Sequence, residues 1–217
     1  MIFQYGDKEI QYLKKKDKRL GEAIDIIGPI ERAAYADLFS SVIYTIVGQQ
    51  ISAAALETVW GRLCTMLGEV TAETINNSSD AALQSAGITF KKAGYMKNFA
   101  QKVISDQFDI NSLPEKSDGE IIELISSLNG LGVWSAEMIM LFTLQRKDIL
   151  SYGDLAIHRG LRMLYHHKNV DKALFEKYRK RYSPYASVAG LYLWAIAAGA
   201  IPELKDYALP KKKVFKK

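Results

Sequence analysis

Cysteine is almost absent from this sequence: Cys64 is the only one among 217 residues. A single cysteine forms no intramolecular disulfide, and it cannot supply a four-cysteine zinc or iron–sulfur site. The three histidines do not compensate, because their spacing is not that of a metal site; they are His158, His166 and His167. We therefore expect neither a disulfide framework nor a metal centre built from side chains.

Long hydrophobic runs are also missing. No apolar segment is long enough to cross a bilayer, and residues 1–5 lack the basic and then apolar pattern of a signal peptide. At 48% hydrophobic and 24% charged residues, the chain can nevertheless bury a core. Its length suits one large domain or two small lobes. The sequence predicts a cytoplasmic globular protein with no membrane partner.

Excess positive charge is confined to the C-terminus. The formal charge is +5, but the tail after Pro210 carries five of the 29 basic residues and no acid. In the rest of the chain the basic residues balance the 24 acidic ones. A nucleic-acid surface would therefore depend on segregated charge, not on total charge. The tail is expected to add only weak, salt-sensitive attraction to DNA; its lysines are Lys211, Lys212, Lys213, Lys216 and Lys217.

Strand-like alternation is absent apart from a short extended arm or strand expected at the N-terminus, and apolar residues recur at helical spacing. Capping residues predict where the helices begin. Lysines on the helix after Thr89 are expected to form a solvated face; they are Lys91, Lys92, Lys97 and Lys102. The predicted boundaries are a helix over 18–27 ended by Gly28, N-caps at Asp37, Ser52, Thr89 and Ser117, two short helices within 71–87, a loop over 110–116, and Ser183 and Pro184 as N-cap and first residue of the last helix.

Two glycines one residue apart separate two of these helices. Because glycine tolerates positive φ and close approach of backbones, Gly130 and Gly132 predict a tight hairpin. The first turn of the following helix leaves backbone N–H groups without intrahelical partners. Such groups on Gly130, Gly132 and Val133 attract an anion such as a phosphate. A Gly-x-Gly between helices is, by itself, more typical of an ordinary tight turn.

The other notable residue is Asp154, which precedes a further apolar helical pattern. Aspartate is a common N-cap, and the helix dipole stabilises a negative charge at that position. A cap alone would explain the residue. A carboxylate there can also stabilise the positive charge that develops on a sugar when its glycosidic bond breaks. The residues alone leave both interpretations open.

Taken together, the two features resemble the helix-hairpin-helix superfamily of DNA glycosylases. The family pattern is Leu-x-Gly-(Val/Ile/Leu)-Gly with a downstream aspartate, here residues 128–132 and Asp154, which lies 22 residues after Gly132. The chain is most similar to the bacterial 3-methyladenine DNA glycosylase II branch. The resemblance implies an all-α fold of two lobes with the active-site cleft between them. The implied lobes are 37–145, ending in a hairpin motif at about 117–144, and 1–36 with 146–217.

The resemblance also implies catalytic roles. Asp154 is implied as the catalytic carboxylate. Trp134 stands where strand-cutting relatives have a lysine that forms a Schiff base, and a tryptophan has no such nucleophile. Attack by water, leaving an intact abasic site, is therefore implied. A base pocket is implied at Trp134, Trp194 and Tyr152, because a cationic methylated purine stacks well on electron-rich rings.

Other positions are implied to contact DNA or an ion. Gln50, in the stretch 46–52, matches the side chain that fills the gap left by a flipped base; the alternative is an ordinary polar corner between helices. Contacts to DNA are further implied at Gly130, Gly132, Val133 and Ser135. No cofactor is implied as a requirement, but the backbone carbonyls of Ser126, Leu128 and Leu131 match those that hold a simple, typically monovalent, cation in the superfamily.

The implied function is that of a monofunctional glycosylase of base excision repair. It would act as a monomer on alkylated bases of the 3-methyladenine type in double-stranded DNA, in the cytoplasm at the bacterial nucleoid. Two alternatives remain: a helix-hairpin-helix module that binds DNA without chemistry, and a glycosylase for oxidised or mismatched bases. Trp134 in place of a lysine, together with the lone cysteine, argues against the lyase-competent and cluster-bearing branches.

Overall fold

The computed structural model describes residues 1–35 and 37–208. The Lys-rich tail considered above lies outside the described residues. Helices account for most of the described chain, in which the only β pairing is an isolated antiparallel bridge between Ile2 and Ala33. The prediction of an all-α fold, with a short extended arm at the N-terminus, is confirmed.

The chain divides into two compact units. One contains Met1 and Ala34–Gln145, which we call the hairpin unit; the other contains Ile2–Ala33 and the described residues from Arg146 onward, which we call the aspartate unit. In chain order, the helices are α1 (Asp7–Lys16), α2 (Lys18–Ile27), α3 (Leu38–Gly48), α4 (Ala53–Leu67), α5 (Ala72–Asn77), α6 (Asp80–Ser85), α7 (Phe90–Ile104), a 3-10 helix (Ile110–Glu115), α8 (Asp118–Ser126), α9 (Val133–Phe142), α10 (Leu155–Tyr165), α11 (Lys172–Tyr182) and α12 (Ala186–Ala197).

Helix α3 is the centre of the hairpin unit and packs against α4, α7 and α9. Its residues Val42, Ile43 and Ile46 are fully buried. Phe39 of α3 stacks on Phe99 of α7, with ring centroids 5.0 Å apart. Burial of each large apolar side chain stabilises the fold by about 1.5–3 kcal/mol. The hairpin formed by α8 and α9 is thus attached to the core through α9.

Local capping explains where the helices of the hairpin unit begin. Each predicted N-cap side chain accepts a hydrogen bond from the N–H three residues later, which confirms Asp37, Ser52, Thr89 and Ser117. The prediction of a loop over 110–116 is wrong, because Ile110–Glu115 forms a 3-10 helix. The carboxylate of Asp109 accepts from the N–H of Asn111 at 3.1 Å and caps this short helix.

In the aspartate unit, α10 and α12 pack closely against each other. Gly160 of α10 permits this approach, since a Cβ at that position would lie 2.3 Å from the carbonyl oxygen of Leu193 in α12. Helix α2 also packs on α12. The N-terminal arm is fixed by a hydrogen bond from the N–H of Phe3 to the carbonyl of Arg32, and the Phe3 side chain is buried. This packing supports the start of α10, where Asp154 lies.

The start predicted for the last helix is wrong. Ser183 ends α11, and its bond to Pro184 is cis. The Ser183 hydroxyl donates to the carboxylate of Asp148 at 2.6 Å and does not cap α12. Helix α12 begins at Ala186, whose N–H donates to the same carboxylate at 3.3 Å. A carboxylate distant in the sequence therefore replaces the predicted local cap.

Candidate functional site

The glycine hairpin, residues 127–132, joins α8 to α9 as predicted. Gly130 has φ of +81°, in the left-handed region that favours glycine. A Cβ on Gly130 would lie 2.2 Å from the ring of Tyr95 on α7, so the ring packs directly against the glycine backbone. Gly132 is the N-cap of α9 and offers no side-chain cap to its first turn. A Cβ on Gly132 would meet nothing within 4 Å, which leaves this side of the hairpin open to a ligand.

The residues that follow Gly132 differ in exposure. Val133 is exposed, and Trp134 is 42% exposed, so Trp134 is not a core residue. Ser135 is buried, and its backbone N–H is at the third position of α9, in the turn whose N–H groups have no intrahelical partners. The start of α9 therefore presents backbone donors beside an accessible indole ring.

The glutamine corner, residues 48–52, links α3 to α4 in the same unit. Gln50 is exposed and adopts φ of +57°, an uncommon conformation for a residue with a Cβ. The side chain of the neighbouring Gln49 instead contacts the glycine hairpin, where its Nε2 donates to the carbonyl of Gly130 at 2.6 Å. The corner is thus tied to the glycine hairpin, and Gln50 remains available to solvent. Sequence reasoning identified Gln50 but missed Gln49, because its partner lies far away along the chain.

Lys92 of α7 was also missed, since all four lysines of this helix were expected to be solvated. Its Nζ donates to the carbonyls of Val47 and Gln49, each at 2.7 Å. Partial burial lowers the pKa of the Lys92 ammonium group from its ordinary value. The prediction of a solvated face is therefore wrong for Lys92. Lys91 is exposed, as expected, and nothing in the sequence distinguishes the two neighbours.

In the aspartate unit, Asp154 is the N-cap of α10 and only 9% exposed. One carboxylate oxygen, Oδ1, accepts from the N–H groups of Ala156 at 2.8 Å and Ile157 at 2.9 Å. The same oxygen accepts from the indole N–H of Trp194 at 3.2 Å. The capping interpretation of Asp154 is therefore correct. It does not exclude a chemical role, because the three contacts also orient the carboxylate beside a tryptophan.

Tyr152 precedes this aspartate and is partly exposed. Its carbonyl accepts from Nε2 of His158 at 2.7 Å, and its ring packs edge-on against the rings of His158 and Phe175. His158 thereby fixes the loop before α10, a role that sequence reasoning did not assign. Leu155, immediately after Asp154, is 84% exposed and adds an apolar surface next to the carboxylate. Asp154, Trp194 and Tyr152 are thus brought together within one unit.

The described residues contain no cluster of three or more His, Cys, Asp or Glu side chains that could hold a metal ion. The carbonyls of Ser126, Leu128 and Leu131 belong to the end of α8 and the glycine hairpin. Neutral carbonyl oxygens suit a hard cation and not a transition metal. The Leu128 carbonyl accepts one hydrogen bond, from Leu131 at 3.2 Å, and keeps a second lone pair.

None of the helices described here is both long enough and apolar enough to span a membrane.

Comparison with known proteins points to one family. A family model described as "HhH-GPD superfamily base excision DNA repair protein" matches residues 43–184. The chain is 24% identical over 198 residues to DNA-3-methyladenine glycosylase 1 of Schizosaccharomyces pombe, a match covering 89% of this chain and 85% of that protein. Among solved structures, DNA-3-methyladenine glycosidase from Bacillus halodurans is 32% identical, with a TM-score of 0.81 and coverage of 94% of this chain and 95% of the other.

A second solved structure has the same fold. The 3-methyladenine DNA glycosylase of Schizosaccharomyces pombe in complex with abasic DNA gives a TM-score of 0.81 at 23% identity, with coverage of 94% of this chain and 100% of that one. The matched region includes the glutamine corner, the glycine hairpin and Asp154. The chain therefore belongs to the HhH-GPD superfamily of base excision DNA repair proteins.

Proposed function

We propose that this protein is a monofunctional DNA glycosylase that flips out alkylated bases of the 3-methyladenine type from double-stranded DNA and hydrolyses their N-glycosidic bonds. The observation that carries the proposal is Asp154, a nearly buried carboxylate oriented through one oxygen by three N–H donors. The relatives named 3-methyladenine DNA glycosylases support this substrate class.

Binding of the duplex is assigned to the hairpin unit. The amides at Gly132 and Val133, which receive no side-chain cap, bind a DNA phosphate at the N-terminus of α9. A simple cation held by the carbonyls of Ser126, Leu128 and Leu131 would supply further positive charge for phosphate binding. Gln50 enters the space that the flipped nucleotide vacates, where its amide can hydrogen-bond the unpaired base.

The chemical step is assigned to Asp154. A purine methylated at N3 carries a positive charge, and it leaves as a neutral base when it takes the electron pair of the C1′–N9 bond. The deoxyribose then becomes an oxocarbenium-like cation, which the negative charge of Asp154 stabilises. Water adds to C1′ and releases a proton to the solvent, and the product is an abasic site with both strands intact.

Base recognition is assigned to aromatic rings. Trp134 and Tyr152 are both partly exposed, and Trp194 is held beside Asp154 through its indole N–H. An electron-poor, cationic base stacks favourably on such rings. Trp134 has no amine, so attack on the sugar by the protein itself, and the strand cleavage that follows from it, is not expected.

The test is to incubate the protein with methylated duplex DNA and identify the released bases by mass spectrometry. We expect free 3-methyladenine and no covalent protein–DNA adduct after borohydride reduction. Binding of the duplex without any base release would instead make the protein a DNA-binding module. Duplexes carrying oxidised or mismatched bases are tested in parallel, and base release from these duplexes alone would contradict the proposed substrate class. A trapped adduct would contradict the monofunctional mechanism.

A further inference from the structure

One face of α7 contacts both DNA-binding elements of the hairpin unit. Lys92, Tyr95 and Asn98 are spaced three residues apart and therefore lie on the same side of the helix. Lys92 binds the glutamine corner, the ring of Tyr95 packs on Gly130, and Asn98 accepts a hydrogen bond from the side chain of Asn129 at 3.4 Å. Helix α7 is thus a common support for the glutamine corner and the glycine hairpin.

The strongest of these contacts is that of Lys92. Its ammonium group donates to two carbonyls at the C-terminus of α3, those of Val47 and Gln49, at 2.7 Å each. Carbonyls at a helix C-terminus have no intrahelical partners, and the helix dipole favours a cation there. Hydrogen bonds from a charged donor are shorter and stronger than neutral ones. Lys92 thereby holds in place the backbone that leads directly into Gln50.

Gln50 needs such support because of its backbone conformation. A residue with a Cβ at φ of +57° is strained by roughly 1–2 kcal/mol relative to ordinary backbone. Strain of this kind persists only when the surroundings determine the conformation. On one side, Ser52 caps α4; on the other, Lys92 fixes the Gln49 carbonyl, while the Gln49 side chain donates to Gly130.

We propose that Lys92 is a positioning residue: it holds the glutamine corner in the conformation that directs Gln50 into the duplex, in register with the glycine hairpin. This inference rests on the proposed glycosylase function. Lys92 would thus act in base flipping through Gln50, without itself having to contact the DNA or the base.

The test compares Lys92→Met with Lys102→Met. Both substitutions remove one positive charge from α7, but in the described part of the chain only Lys92 donates to the corner carbonyls. Single-turnover release of 3-methyladenine from methylated duplex should fall about tenfold for Lys92→Met, a typical coupling between residues linked through a shared backbone segment. It should change less than about twofold for Lys102→Met, as for sites that share no partners. Affinity for undamaged duplex should stay the same in both.

A double-mutant cycle separates positioning from general destabilisation. In a Gln50→Ala background the corner has no side chain to insert, so Lys92→Met should cost less than about twofold in rate. If Lys92→Met lowers the melting temperature below the assay temperature, Lys92→Gln replaces it in the same cycle, because its amide can still donate to one carbonyl.

Two results would overturn the inference while leaving the proposed function intact. One is a Lys92 variant that releases base as fast as a wild type that is itself active. The other is an equal loss of rate from the Lys92 substitution in the wild-type and Gln50→Ala backgrounds. A wild-type protein that releases no base from methylated DNA would instead overturn the proposed function, and the inference with it.

Discussion

The two glycines of the hairpin should respond very differently to alanine. In Gly130→Ala, the new Cβ would lie 2.2 and 2.3 Å from two ring atoms of Tyr95 and 2.9 Å from the atom that joins the ring to its stem. The whole ring must therefore move, and overpacking of this kind costs about 1–3 kcal/mol. The φ of +81° adds about 1–2 kcal/mol for a residue with a Cβ. The expected loss of unfolding free energy is about 2–5 kcal/mol.

Gly132→Ala is the matched control. Its Cβ would meet nothing within 4 Å, and its φ of −144° is ordinary extended backbone. Because alanine is a poorer N-cap than glycine, we expect its free energy of unfolding to fall, but only by about 0.5–1 kcal/mol. Its affinity for duplex DNA should nevertheless fall, because a methyl group would intrude where the phosphate approaches the N–H groups of α9.

The assay is urea unfolding followed by circular dichroism, repeated in a Tyr95→Ala background. Removal of the ring relieves the clash, so Gly130→Ala should then cost only the backbone strain of about 1–2 kcal/mol. The reasoning would be refuted if Gly130→Ala cost less than about 0.5 kcal/mol. It would also be refuted if the cost were the same with and without Tyr95.

Two further predictions concern the aspartate unit. The hydrogen bond from Lys147 lowers the pKa of the buried Glu9 carboxyl. The stabilisation that ionised Glu9 gives the fold is therefore complete above the ordinary carboxyl pKa, and it is lost as the pH falls through the lowered pKa. Glu9→Gln should therefore be less stable by about 1–2 kcal/mol at pH 7, and thermal melts should show this difference shrinking below about pH 4; a pH-independent difference would contradict it. Trp194→Phe removes an N–H donor to the carboxylate of Asp154, and single-turnover release should fall by roughly three- to tenfold with unchanged duplex affinity. An unchanged rate would show that the indole contact does not orient the carboxylate.

Much of the fold could be predicted because it depends on short-range physics. Helix starts at Asp37, Ser52, Thr89 and Ser117 follow from a side-chain oxygen three residues before a free N–H group. The same local rule failed at Ser183, where the carboxylate of a residue 35 positions earlier engages the hydroxyl. Local patterns therefore predict a helix end well only where no distant group competes for it.

The candidate site shows the same division. The hairpin glycines and the capping position of Asp154 could be predicted from spacing and residue type. The contacts of Lys92 with Gln49 and of Gln49 with Gly130 span 43 and 81 residues. Nothing in the neighbouring sequence of Lys92 or Gln49 indicates these contacts. A lysine that binds backbone carbonyls has the same sequence pattern as a solvated one. The roles assigned to Gln50, Trp134, Trp194 and the hairpin carbonyls remain predictions.

The most direct test of the account is single-turnover release of 3-methyladenine by Asp154→Asn. Asparagine caps a helix about as well as aspartate, so α10 should keep its start and the protein its fold. The variant loses only the negative charge, and release should fall by about 10²–10³-fold while duplex affinity is preserved. Release at close to the wild-type rate by a variant that binds DNA normally would show that Asp154 is a helix cap and nothing more.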